Sequence, residues 1–207
     1  MGVQFSYTAY TRVSPSGKAK DFDSFIPGSN PGTLTKKCIG EIFLNDNVKI
    51  IESRKYGKTV VGCIGKDKNI VIPYGVQTIS AHAFAEECIQ TVKISETVKI
   101  IDAYAFSDCK SLISVTLPHD LLFLGEGIFS GCTALSCIEL TEKITAIPSF
   151  AFRDCKNLNT VKIPDSVVKI DRTAFDGCGK EMKIVCNKGS YADRFACENN
   201  ITTSFLS

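Results

Sequence analysis

The 207-residue chain predicts a repeat solenoid, a right-handed coil of mostly short β-strands joined by turns, with a hairpin-like cap at its start and a short helical cap at its end. Three observations predict it. A phrase of strand, breaker, small residue, Phe and Cys recurs five times between residues 70 and 186, and self-similarity at one fixed period is the signature of stacked repeats. Cys109, Cys132, Cys155 and Cys178 are 23 residues apart, which sets that period. No apolar run approaches the roughly 18 residues of a membrane-spanning helix, so no spanning helix is expected beside the array.

Each phrase is read from a breaker taken as position zero. From Pro164, apolar residues fall at plus 3 and plus 6 (Val167, Ile170), a small residue and Phe at plus 10 and 11 (Ala174, Phe175), and Cys178 at plus 14. Thr141 gives Ile144, Ile147, Ala151, Phe152 and Cys155; Pro118 gives Leu121, Leu124, Ile128, Phe129 and Cys132. Ser95 gives Val98, Ile101, Ala105, Phe106 and Cys109. Pro73 gives Val76, Ile79, Ala83 and Phe84, but Glu87 holds the cysteine slot and Cys88 follows it. Six strands align, at 70–72, 92–94, 115–117, 138–140, 161–163 and 184–186. Side chains alternate along a strand, so the outer two residues of each point inward and the middle one outward. The five Phe residues are expected to stack in one inner column, each ring contributing about 1.5–3 kcal/mol by burial.

Leu112, Leu135 and Leu158 precede the first inward strand residue by three, giving the Leu-x-x-Val-x-Leu pattern of a leucine-rich repeat. The copy from Ile163 to Cys178 reads Ile-Pro-x-x-Val-x-x-Ile-x-x-x-Ala-Phe-x-x-Cys, and on those residues the chain strongly resembles the BspA-type leucine-rich repeat family over about residues 65–200. Departures are Ser95 and Thr141 for Pro, Ile128 for Ala, and Glu181 for Leu, the last read as the final coil losing its inner face. The resemblance implies a microbial surface or secreted protein that adheres to host components or other cells. It also implies a Gly-Ser step into a closing helix, which Gly189 and Ser190 supply; Ser190 with Asp193 has the spacing of a capping box.

The organisation follows. Residues 1–40 carry no repeat and read as an irregular extension. Residues 41–69 read as a strand and hairpin cap over the otherwise exposed first coil, the turn lying at Arg54–Gly57. Residues 70–186 form the leucine-rich-repeat solenoid and 187–207 the closing cap, in which Phe195 and Ala196 cover the last coil and residues 201–206 form a terminal strand.

Charge narrows the function. Net charge is +2, far from the basic excess of a dedicated nucleic-acid binder. The first residues have neither a basic n-region nor an apolar core, so no signal peptide is expected and cytoplasmic residence stays open beside a cell-surface or secreted one. Met1-Gly2 with Ser6 matches a myristoylation start of low specificity. The ten cysteines read as reduced and mostly packed, because stacked coils set them side by side with parallel side-chain vectors and offer a metal a line rather than a tetrahedron. His82 and His119 lie in different turns and read as exposed, and no phosphate loop, zincin helix or nucleophile elbow is present. Asn200-Ile201-Thr202 is a glycosylation sequon with meaning only in a eukaryotic secretory pathway. Catalytic, cofactor and metal residues are therefore none.

The expected function is non-enzymatic binding of a protein, or of a glycan, through the solenoid surface, with an intracellular scaffold of the same fold as the alternative. Two faces qualify. The strand face presents Lys93, Thr116, Glu139, Lys162 and Lys183, a polar and mixed-charge set without an aromatic anchor. The second presents Ile100, Leu122 and Phe123 as an apolar patch on adjacent coils; it is either a contact surface or covered by residues 1–40.

Overall fold

The chain divides into two units, Met1–Cys38 and Ile39–Ser207. The structure, a computed structural model, describes residues 42–44, 47–53 and 57–206 of the second unit. The expectations placed on residues 1–40, including the Met1-Gly2 start, and on the turn at 54–56 lie outside the described residues.

Three strands open it: β1 (Ile42–Leu44), β2 (Val48–Ser53) and β3 (Gly57–Cys63). β2 and β3 form the antiparallel hairpin, with a bulge between Lys49 and Ile50, and β3 then turns parallel to the array by pairing with β5 (Val76–Ile79). Val48, Ile50 and Val60 carry the apolar side of this hairpin into the core. Five coils follow, each with one strand before its breaker and one after. The first holds β4 (Asn69–Val71) and β5; the second β6 (Thr91–Lys93) and β7 (Ile100–Ile101). The third holds β8 (Ser114–Thr116) and β9 (Phe123–Leu124), the fourth β10 (Cys137–Glu139) and β11 (Ala146–Ile147), the fifth β12 (Thr160–Lys162) and β13 (Lys169–Ile170). β14 (Lys183–Cys186), helix α1 (Tyr191–Glu198) and β15 (Thr202–Phe205) close the chain.

Where successive coils pair they do so in parallel, 22 residues apart between the first two coils, as in Asn69↔Thr91, and 23 apart thereafter, as in Cys137↔Thr160↔Lys183. The strands begin one residue earlier than the inward pattern suggested. Asn69, Thr91, Ser114, Cys137, Thr160 and Lys183 each open a strand because they join its hydrogen-bonded ladder, while Ile72, Ile94, Leu117, Leu140 and Ile163 follow the strand end and still point inward. The walls are not continuous. Pre-breaker strands form one sheet β4-β6-β8 and another β10-β12-β14-β15; post-breaker strands β5-β7-β9 extend the opening strands in the sheet β1-β2-β3-β5-β7-β9, and β11-β13 pair separately. Both walls break between the third and fourth coils.

The core is the expected one. Phe84, Phe106, Phe129, Phe152 and Phe175 stack with centroid separations of 5.1, 5.6, 5.8 and 5.4 Å and nearly parallel rings. Phe195 of α1 ends the column at 6.1 Å with its ring tilted by 55°. Ser190 caps α1 by accepting from the Asp193 N–H at 3.2 Å, and the Asp193 carboxylate accepts from Gly189 N, one residue before the position a reciprocal capping box uses. Ala192, Phe195 and Ala196 bury the helix's apolar face. The final coil keeps its inner face, contrary to the reading of Glu181: Met182 fills the leucine slot one residue later, and Ile184 and Cys186 remain fully buried.

Candidate functional site

The corner of each coil, from plus 9 to plus 14, holds the array together. Residues at plus 9 (His82, Tyr104, Gly127, Phe150) and plus 13 (Glu86, Asp108, Gly131, Asp154, Gly177) have φ between 55 and 75°. Left-handed residues turn successive N–H groups the same way, here along the solenoid axis. The plus 11 N–H groups of Phe84, Phe106, Phe129 and Phe152 donate to the plus 10 carbonyls of the next coil at 2.8–3.0 Å, and the plus 13 groups of Glu86, Asp108, Gly131 and Asp154 donate to the plus 12 carbonyls at 2.7–2.8 Å. Thr173, a β-branched residue, is the exception at plus 9; its hydroxyl accepts from Phe150 N while Asp171 satisfies its own N–H.

The thiol column belongs to this corner. Cys109, Cys132, Cys155 and Cys178 donate their S–H to the carbonyls of Phe84, Phe106, Phe129 and Phe152 at 2.9–3.1 Å. Burial pushes the Cys109 and Cys178 thiols up to about 12 and those of Cys132 and Cys155 higher still. They are neutral hydrogen-bonding hydrophobes rather than nucleophiles. All nine cysteines among the described residues are free, with Cys88, Cys137 and Cys197 exposed. No His/Cys/Asp/Glu group among the described residues has the arrangement to hold a metal.

Glycines record how closely the coils lie. A Cβ on Gly125 would run into the Asp102–Ala103 backbone, and one on Gly127 into the Tyr104 ring. The segment 125–127 is thus a close approach of the third coil to the second as well as a turn. His82 is half-buried rather than exposed, its ring stacked on Tyr104 at 5.3 Å, while His119 is exposed. The Tyr104 hydroxyl donates to Glu126 at 2.8 Å; burial, then this bond, raises its pKa. Arg153 lies over the Phe150 ring at 5.2 Å. Sequence reasoning missed these corner residues because Tyr and Phe carry no left-handed signal and His only a weak one; the Asp and Gly at plus 13 do carry one.

The strand-face residues are brought together only in part. Lys93 pairs in register with Thr116, and Glu139 with Lys162, but the wall break separates the two pairs, and Lys183 lies in the neighbouring column beside Thr160. Lys162 and Glu139 neutralise each other at 2.5 Å. The apolar trio is assembled. Ile100 and Phe123 are register partners on β7 and β9, Leu122 adjoins Phe123, and the three are 41, 52 and 57 % exposed in the order Ile100, Phe123, Leu122. Lys99 and Asp120, paired at 3.1 Å, lie beside this patch and give it a polar margin.

The family model described as "BspA type Leucine rich repeat region" matches residues 62–181 in six copies, one more than the breakers mark out. No curated protein is detectably similar to the chain. Among solved structures, a leucine rich cell surface protein from Faecalibacterium prausnitzii A2-165 superposes with a TM-score of 0.66 at 29 % identity over 80 % of this chain and 43 % of that one. The pneumococcal vaccine antigen PcpA gives 0.55 at 14 % identity over 80 % of this chain and 48 % of its own. The T. pallidum leucine rich repeat protein gives 0.50 at 17 % over 81 % of this chain and all of its own. The last two show the fold alone. This chain spans less than half the length of the first two proteins.

Proposed function

Because the chain belongs to the BspA-type leucine-rich repeat family, we propose that it is a non-enzymatic protein-binding module for recognition or adhesion at a microbial surface, and that Ile100, Leu122 and Phe123 form its contact. The observation that carries this is the exposure of three large apolar side chains, in register on adjacent strands, beside the Lys99–Asp120 pair. An aromatic centre with a polar margin is the anatomy of an energetic contact. The strand face with Lys93, Thr116, Glu139, Lys162 and Lys183 is the lesser candidate, since part of its charge is internally paired and exposed ion pairs contribute little. A surface setting is supported by the F. prausnitzii cell surface protein, the structural relative with the highest identity reported above.

The test compares fluorescently labelled wild type with Phe123→Asp for binding to cultured epithelial cells. Binding is expected to fall about 30-fold, as for a hot-spot residue of ~2 kcal/mol, with the melting temperature nearly unchanged. Undiminished binding, or a large loss of stability showing Phe123 to be core, overturns the proposal.

A second reading, an intracellular scaffold of the same fold, is favoured by one observation: Cys88, Cys137 and Cys197 stand exposed as free thiols. Thiol titration of the denatured chain, prepared without reductant, separates the two. Ten titratable thiols support the intracellular setting, and paired cysteines support the oxidising one.

A further inference from the structure

The corner ladder has an open end. In the first four coils every plus 11 and plus 13 N–H is taken by a carbonyl of the next coil. In the fifth, the equivalent N–H groups of Phe175 and Gly177 have no acceptor among the described residues. The Phe carbonyl loses a partner as well. Phe129 O accepts both Cys132 N and the Cys155 thiol, whereas among the described residues Phe175 O accepts only from Cys178 N. A sixth corner would supply these bonds, and α1 replaces that corner without imitating it.

Beside Phe175 is a cavity of about 220 Å³, open to solvent, between the last coil and the C-terminal cap. Its apolar lining is Phe175, Met182, Phe195 and Ile201. Its charged lining is Arg172, Lys180 and Asp176, and neither cation is within ion-pair distance of a carboxylate among the described residues. Asn199 and Asn200, at the end of α1, complete the polar side. Unmatched backbone donors two residues apart take acceptor oxygens, and αR–αL corners of this kind form concavities suited to carbonyls and anions. In the lining two cations face one carboxylate, and the Asp154 carboxylate packed on Gly177 is itself paired with Arg153 at 3.5 Å, so the balance favours negative charge.

A second copy's first coil is a poor occupant. Its plus 10 carbonyl belongs to Ala83, which is buried beneath the hairpin with Gly62 beside it. We infer that the open corner of the fifth coil docks a short acidic peptide segment of a partner protein. The segment's backbone carbonyls take the Phe175 and Gly177 N–H groups, one apolar side chain enters the cavity, and its carboxylates face Arg172 and Lys180. This contact is separate from the Ile100–Phe123 patch and supplies a second point of attachment.

The probe is a fluorescein-labelled peptide, acetyl-Asp-Glu-Phe-Glu-Asp-amide, followed by anisotropy and by amide hydrogen exchange of the folded chain. The expected result is saturable binding that weakens about tenfold or more in Arg172→Glu/Lys180→Glu. The same peptide with lysines at its four acidic positions does not bind, and Phe123→Asp binds as wild type does. In the free protein the amides of Phe175 and Gly177 exchange much faster than those of Phe129 and Gly131, and the peptide slows the first pair alone. Far-UV circular dichroism and melting of the double variant verify that it folds. No saturable binding up to about 1 mM, a weak limit for a specific contact, overturns the inference. So does binding that survives the charge reversal, or that leaves Phe175 and Gly177 exchanging at their free rate. Loss of cell binding in Phe123→Asp with peptide binding intact, or the reverse, separates the two contacts.

Discussion

The corner and the walls of the coil cross the junction between the third and fourth coils differently. Both walls lose their strand pairing there, β8 from β10 and β9 from β11. The corner does not: Gly127, Phe129 and Gly131 still donate to Ser149, Ala151 and Arg153, and the Cys155 thiol still reaches Phe129 O. The Phe129–Phe152 separation of 5.8 Å is the widest between the five coil rings, yet the stack is unbroken. In a repeat array each unit holds only its neighbours, so every interface must carry its own share of stability. Here the corner supplies the bonds that run through every interface, and the walls supply surface that tolerates interruption.

The widest test of this contrast is Phe129→Ala. It removes a fully buried ring beside the weakened walls and is expected to cost about 3–5 kcal/mol in urea denaturation. A loss under about 1 kcal/mol would mean that the corner does not hold this interface.

The thiols give the next effect. Burial raises the Cys109 pKa from 9.0 to about 12, so below pH 9 folded and unfolded chains are both protonated there and nothing is lost. Between about pH 9 and 12 the unfolded chain releases this proton and the folded chain keeps it, so stability falls as pH rises. Cys109→Ala should therefore lose less stability than wild type between pH 8 and pH 10, by about 1.4 kcal/mol, whatever its stability at pH 8. Equal slopes would place the thiol in contact with water.

The smallest effect has the opposite sign. Thr141 stands where three of the other four copies have Pro, and its buried Oγ1 has no hydrogen-bond partner among the described residues. Thr141→Val should raise stability by about 1 kcal/mol, since it removes an unsatisfied polar atom while keeping the shape. A decrease would point to an unrecognised partner of that hydroxyl.

The legible part of the fold was the part fixed by identity at a fixed spacing. The Phe and Cys columns could be read because Phe fills its slot in all five copies and Cys in four of them, and the inward strand residues because alternation has period two. Illegible parts depend on backbone conformation or on a residue's neighbour one coil away. Tyr104 and Phe150 take left-handed φ because the ladder dictates it, not because their side chains favour it. The break in the post-breaker wall has a signature in Pro148, which lacks the N–H that Ser80, Asp102, Gly125 and Asp171 donate backwards from the same repeat position, while the break in the pre-breaker wall has none that we recognise. The apolar patch was legible because Ile100 and Phe123 share a repeat position, whereas the open corner became visible only when the hydrogen bonds of the fifth coil were set beside those of the other four.

One pairing at the corner bears on how such a protein can grow. The plus 13 residues alternate as Asp108, Gly131, Asp154 and Gly177, and a Cβ on either glycine would collide with the carboxylate of the aspartate one coil back. Each aspartate therefore has a glycine after it that leaves room for its carboxylate. A gene that gained or lost one coil would set two aspartates, or two glycines, against each other. Gaining or losing two, 46 residues from Asp108 to Asp154, leaves the plus 13 alternation as it was. Over this stretch the plus 13 position repeats with the pair of coils, although the eye reads the single one.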